Sequence, residues 1–450
     1  MSTPVRPGAA GRRELLAWAL YDFANSGYTT VVLTTIFSAY FVAVVAGGAG
    51  GLSSGAATFL WTLAVGIANF TVLVSAPVVG AVADHMAAKK RFLLITTAGC
   101  VLSTALLALV GPGEVALGMT LVIVSSVCFA SGENLIAAFL PEITSGRRMG
   151  RISGYGWSLG YFGGLLTLAI CLAYIGWARR QGHAESQFVP VTLLITAGIF
   201  ALAAAPTFLW LRERAVRSPL PGSRLYLRAG FRRVRRTLVE AARLPDLFRF
   251  LTALAVYQSG VSTVIVLTAV YAREVLGLES QQLVVLVMVV NLTAAAGAFL
   301  FGHVQDSLGS IPTLVITLLI WSGAVALAYA ADEPADIWIA GNLIGVAMGA
   351  SQAVGRALIG RLTPAARTAE LFGLWGMVNR LAAIAGPLSY GVIGYLSRGN
   401  HRLALLSTLA FFIGGLLLLV RVDEQRGREA ALGFADSPAR TTTTDRKQDN

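Results

Sequence analysis

The sequence predicts an all-α integral membrane protein of twelve transmembrane helices in two six-helix bundles, and three observations predict it. The 450 residues are 56% hydrophobic and only 13% charged, with a mean hydropathy of +0.69, far more apolar than a water-soluble chain of this length. Apolar stretches of membrane-crossing length recur from end to end, without the ten-residue alternation of a membrane β-barrel. Basic residues collect in alternate loops, which gives the chain a topology as well as a solvent.

Taken in order, the spans lie at about 15–46, 57–83, 91–110, 114–142, 151–177, 189–211, 247–272, 281–305, 311–331, 335–361, 368–396 and 402–421. Residues 1–14 form a polar, basic tail, and the first span is too long and too polar for a cleaved signal core. With that tail in the cytoplasm, 29 of the 35 lysines and arginines fall on inside segments. They include Lys89, Lys90 and Arg91, then Arg147, Arg148 and Arg151, then Arg356, Arg361 and Arg367. The positive-inside rule therefore puts both tails in the cytoplasm and requires an even span count. A net charge of +12 arranged by membrane side argues against nucleic acid as a partner.

The bundles are residues 15–211 and 247–421, joined by a basic linker at 212–246. Within it Leu225, Leu227, Phe231, Val234 and Leu238 recur near helical spacing among arginines, the pattern of an amphipathic helix on the inner leaflet. Residues 422–450 are polar and are expected to be a disordered tail. Gly80-A-V-A-Asp84 closes the second span as Gly302-H-V-Q-Asp306 closes the eighth, and Leu140-Pro141 and Gly154-Y-G-Trp157 have counterparts in Thr363-Pro364 and Gly373-L-Trp375. Two halves repeated in the same sense are the arrangement of the major facilitator fold, with a site near the midplane between them.

Polar residues inside spans are candidate site residues, because lipid cannot face them. In span one Asp22, Asn25, Ser26 and Thr29 share a helix face at offsets of 3, 4 and 7. That face lines a pathway, or Asp22 pairs with an interfacial arginine. Span four carries Glu133 and Asn134, span seven Tyr257 and Gln258, span ten Gln352. Arg380 in span eleven is the one basic residue read as deep in the bilayer, and it needs a carboxylate, carbonyls or water beside it. It receives an anionic group of a substrate, with Asp22 or Glu133 facing an ammonium or carrying a coupling proton, or it forms a structural ion pair between the halves. Gly154, Gly156, Gly160, Gly163 and Gly164 are expected at helix contacts, and Gly386-Pro387 is expected to break span eleven. Cys100, Cys128 and Cys171 stand apart, and no G-x-x-x-x-G-K-[ST], H-E-x-x-H or G-x-S-x-G occurs. Neither a metal, a cofactor nor an enzymatic activity is expected.

The G-x-x-x-D turn at Gly80–Asp84 with Lys89, Lys90 and Arg91 resembles the loop motif between spans two and three of the major facilitator superfamily. Asp84, Arg91 and Asp306 are the gating residues this implies. Trp18-A-L-Tyr21-Asp22-F-A-Asn25-S-G-Tyr28 resembles the opening signature of the branch holding the fungal vacuolar amino-acid effluxers and their bacterial relatives. A-F-L-Pro141-Glu142-I, G-R-I-S-Gly154-Y-Gly156-Trp157, Gln352-A-V-G-Arg356 and Glu370-L-Phe372-Gly373-L-Trp375 agree in order. The chain departs from that branch at Ile136-Ala137, where a Tyr-Asn pair is usual, and at Ser259, where an aspartate is common. The resemblance implies a secondary active transporter of a small polar metabolite, amino-acid efflux first, with spans one, four, seven and ten around the cavity. The alternatives are a drug or toxic-compound exporter of the same fold and a non-transporting membrane scaffold. The expected partners are a small-molecule substrate, protons as the candidate coupling ion, and membrane lipids. Arginine far outnumbers lysine, from which a bacterial inner membrane is expected; a monomer is expected as well.

Overall fold

A backbone in hydrocarbon has no water to bond, so each apolar run closes its own N–H and C=O groups as a helix. A computed structural model describes residues 10–48, 51–144, 148–214, 244–276, 280–397 and 400–436. The first six helices are α1 (Arg12–Ala46), α2 (Ser54–Met86), α3 (Lys89–Leu109), α4 (Val115–Ile143), α5 (Met149–Arg180) and α6 (Glu185–Trp210). The second six are α7 (Pro245–Leu276), α8 (Ser280–Leu308), α9 (Ser310–Ala330), α10 (Pro334–Leu362), α11 (Thr368–Leu396) and α12 (Arg402–Leu419). Among the described residues eleven of them meet the length and apolarity of a membrane span, and α7, at 32 residues or roughly 48 Å, completes the twelve. The chain is a multi-pass membrane protein.

Two sequence expectations fail here. Residues 422–450 are not disordered throughout, because Glu424–Asp436 form a further helix, α13, whose Gly427 packs on Leu362 and Asp246. Its first residues are charged groups with partners on the bundle, which composition does not reveal. Gly386-Pro387 does not break span eleven, for α11 runs through Pro387, and Gly386 is where its backbone meets the Ser259 carbonyl of α7. The amphipathic linker helix read at 225–238 lies outside the described residues.

In α1 the helix is regular to Tyr28 and then widens into π-turns at Thr29–Thr35 and Phe41–Ala46. Threonine hydroxyls compete for the carbonyls there: Thr34 donates to the Thr30 carbonyl at 2.9 Å and Thr30 to that of Ser26 at 2.9 Å.

The halves meet along α2 with α11 and α5 with α8. Glycines bring the backbones together, since without a hydrophobic drive in lipid helices associate through close packing. A Cβ on Gly373 or Gly154 would stand 2.5 Å from the Ala76 or Ala298 carbonyl oxygen, and one on Gly302 2.7 Å from that of Gly150. Gly373→Leu therefore overpacks the α2–α11 contact and is expected to cost about 1–3 kcal/mol. Thermal unfolding in detergent reads this, with Gly176→Leu, where nothing lies within 4 Å, expected to melt as the native chain does.

Candidate functional site

Three levels of polar contact join the halves. The first lies at the end of the bundle where the charged loops gather, called here the basic end. Asp84, last in α2 but for two residues, accepts the Glu370 backbone N–H at 2.8 Å, at the free N-terminus of α11 in the other half. Lys89 completes the group: its Nζ stands 3.2 Å from Asp84, donates to Thr368 Oγ1 at 2.6 Å and pairs with Glu142. The repeat places Asp306 in the same way. Its two oxygens accept the Gly150 and Arg151 N–H groups at 3.0 Å, at the N-terminus of α5, and Arg361 pairs with it at 3.0 Å. Arg91, expected as the basic member, is exposed and is not part of this group. Lys89 takes that place because it starts α3 facing the seam, and its side chain is only 1% exposed.

Deeper in, Asp22 pairs with Arg356 at 2.6 Å. Arg356 also donates to Ser153 Oγ at 3.1 Å and to the Ser153 carbonyl at 2.9 Å, while Ser153 Oγ donates to the Ala353 carbonyl at 2.7 Å. The guanidinium lies over the Trp18 ring at 4.8 Å and the Trp157 ring at 5.2 Å, so two indoles cover its faces while its edges are hydrogen-bonded. Gly156 makes room, since a Cβ there would sit against Asp22 and 2.6 Å from an Arg356 nitrogen. Asp22 and Arg356 are both buried. This corrects the placing of Arg356 with loop charges: it is buried six residues, roughly 9 Å, inside α10. Asp22 does pair with an arginine, one supplied by the opposite half.

Beyond this buried pair Arg380 of α11 donates to Glu133 of α4 at 3.2 Å and to Asn69 of α2 at 3.3 Å. Arg380 lies 12 residues, roughly 18 Å, into its helix. The two side chains are 24% and 29% exposed, unlike the pair beneath them.

The remaining candidates are distributed around these levels. Gln352 accepts the Tyr161 hydroxyl proton across the α5–α10 contact. Asn134 is buried against Gly376 of α11, one turn from Arg380. Asn25 is buried one turn beyond Asp22, and its Oδ1 has no hydrogen-bond partner among the described residues. Tyr257 is fully buried between Gly415 of α12 and Gly355 of α10, its hydroxyl likewise without a partner. Gln258 is half-buried. The structure thus brings Arg380, Glu133 and Asn134 to one seam and sets Asp22 apart with Arg356. Sequence reasoning missed Arg356, Lys89, Ser153 and Asn69. The signal for Arg356 was present, since the residue falls inside a span drawn at 335–361. Among the described residues no group of three metal-ligating side chains occurs.

Comparison with known proteins places this geometry. The model of the family described as "Vacuole effluxer Atg22 like" matches residues 10–432. An uncharacterized MFS-type transporter, YxiO of Bacillus subtilis (strain 168), is 27% identical over 427 residues, 94% of this chain and 97% of its own length. Autophagy-related protein 22-1 of Neosartorya fischeri is 24% identical over 314 residues, 63% of this chain and 50% of its own, so the chain spans about half of that fungal relative. Among solved structures, the human organic anion transporter MFSD10 superposes with a TM-score of 0.70 at 15% identity, covering 91% of this chain and 99% of that one. The proton:xylose symporter XylE, a major facilitator superfamily protein, gives 0.69 at 14% identity, covering 92% and 96%. At these identities the structures speak for the fold alone.

Proposed function

This chain belongs to the Atg22-like vacuole effluxer family of major facilitator transporters and is not an enzyme, and from that premise we propose that it is a secondary active transporter exporting a small polar metabolite by alternating access, with amino acids as the first substrate class. The basic end faces the cytoplasm of a bacterial cell in this reading, and the chain works in the inner membrane as a monomer.

The observation that carries the reading is the Arg380–Glu133 pair, set between the halves and partly exposed, above the buried Asp22–Arg356 pair. A zwitterion brings one charge of each sign, so it can exchange partners with both side chains without stranding either charge. The Arg380 fork accepts a carboxylate in a bidentate manner, and Glu133 an ammonium. Asn69 and Asn134 supply neutral hydrogen-bonding groups beside them. The contacts that join the halves at the basic end fit a state closed on that side, in which the Arg380–Glu133 pair serves the far side. Asp22 is the candidate carrier of a coupling proton, since protonating it would free Arg356 and loosen the halves. Gln352, Tyr257, Gln258 and Asn25 are further candidates for substrate contact as the halves move.

The test is counterflow in vesicles reconstituted with the purified protein. Unlabelled amino acids are loaded inside and labelled ones offered outside. Saturable accumulation of a subset is expected. Accumulation of organic cations or anions alone, with no amino acid moved, would transfer the protein to the exporter class of the same fold.

A further inference from the structure

The chain crosses the basic end after each sixth helix, and both crossings bind the bundle in the same way. After α6, the Arg212 N–H donates to Glu14 at 3.0 Å and the Arg214 guanidinium grips the same carboxylate at 2.7 and 2.8 Å. Between them Glu213 accepts the first N–H groups of α3, from Lys89 at 2.7 Å and Lys90 at 3.3 Å. After α12, the Asp423 N–H donates to Asp246 at 3.1 Å and the Arg426 guanidinium grips that carboxylate with two bonds of 2.6 Å. Between these Glu424 accepts the Ser310 N–H at 2.7 Å and its hydroxyl at 2.9 Å, at the start of α9. Each clamp therefore has a backbone N–H and an arginine on an acid that opens a half, and a glutamate on the N-terminus of that half's third helix. The repeat is one of geometry, because L-R-E-R and D-E-Q-R share too little sequence to reveal it.

Each glutamate is also one residue from a latch aspartate. Lys89, whose N–H Glu213 holds, carries its ammonium to Asp84 and Glu142. Glu424 accepts a bond from Arg361 at 2.6 Å, and the other Nη of Arg361 reaches Asp306 at 3.0 Å. We propose that Glu213 and Glu424 are positioning residues of the gate at the basic end, holding Lys89 and Arg361 where they keep Asp84 and Asp306 on the helix N-termini of the opposite half. The linker and the C-terminal helix thereby set how readily the gate opens. Charge-assisted bonds of this kind are the strong ones, and the helix N-termini add to them. Hydrogen bonds from Arg426 hold Asp246 below the ordinary carboxylate range, so its grip on α13 is complete above that range and is lost only as pH falls through the lowered value. The C-terminal clamp is accordingly in force at neutral pH.

This inference rests on the alternating-access reading, and its test separates the two. In the full chain with Cys100, Cys128 and Cys171 replaced by alanine, Met149→Cys serves as a reporter, since Met149 is buried at the basic end of α5 beside Gly360. A membrane-impermeant maleimide is applied from the basic end in everted vesicles. Glu424→Gln is expected to raise the labelling rate about tenfold, and Glu424→Asp, which keeps the charge, to stay near the parent rate. Asp306→Asn, which breaks the latch itself, must raise labelling too. Faster labelling in Asp306→Asn with none in Glu424→Gln overturns the clamp alone. No change in either overturns the gate and the reading beneath it. Should Glu424→Gln fail to fold, Arg426→Gln loosens the same segment at Asp246, and an unchanged rate there overturns the proposal equally.

Discussion

Arg356→Ala is expected to abolish counterflow and to lower stability by about 3–5 kcal/mol, the range for truncating one partner of a buried ion pair. The loss follows from what remains. Asp22 would stay buried with no cation against it, and Ser153 would lose the guanidinium that it meets with both its hydroxyl and its carbonyl. The coupled variant separates this from a loss of packing. Asp22→Asn with Arg356→Gln removes both charges while keeping most of the volume, so it should cost less than the sum of the single substitutions. Denaturant titration in detergent measures all three chains. Additive losses would mean that the pair contributes no more than its separate contacts. Transport should stay absent in the double variant even where stability returns, because the pair joins α1 to α10 and is one of the bonds that the halves must exchange as they rock.

Arg380→Ala is the second large expectation. Because the Arg380–Glu133 pair is less buried than the Asp22–Arg356 pair, its loss should cost the native fold less than Arg356→Ala does. The loss belongs to the substrate. Removing a bidentate carboxylate partner should reduce kcat/KM for counterflow about 100-fold, or about 2.7 kcal/mol. Arg380→Lys should recover only part of it, since an ammonium offers a point charge in place of a fork. Glu133→Gln should weaken zwitterionic substrates more than plain carboxylates, which distinguishes an ammonium site from a structural partner of Arg380. Unchanged kinetics in Arg380→Ala would leave the pair as a bridge between the halves and nothing more.

Much of this architecture was legible because the bilayer allows so few solutions. Apolar runs together with the sidedness of the basic residues mark twelve helices, and the motif repeat around Asp84 and Asp306 marks two halves. The need of Arg380 for a polar partner was legible from depth, and Glu133 and Asn69 fill it. What was not legible is pairing across the halves. Arg356 sits near the end of its helix, where a basic residue reads as a loop charge, and only the packing of α1, α5 and α10 around Gly156 shows that it is enclosed. Lys89 and Arg91 are two residues apart on one helix and look interchangeable in the sequence, yet the turn of α3 points one at the seam and the other at solvent. Residues Glu424–Asp436 looked like a solvated tail because their anchors, Asp246, Ser310 and Arg361, lie far off in sequence.

The central claim is that the two bundles rock about a site that opens to one side at a time, and the most direct measurement is a pair of distances across the seam. Spin labels at Arg91 and Ser307, both exposed at the basic end in opposite halves, report one side, and labels at Gln181 and Asp332 report the other. Added substrate should lengthen a fraction of the first distance and shorten the same fraction of the second. Two distances that stay single and unchanged, in protein that still carries out counterflow, would contradict the account.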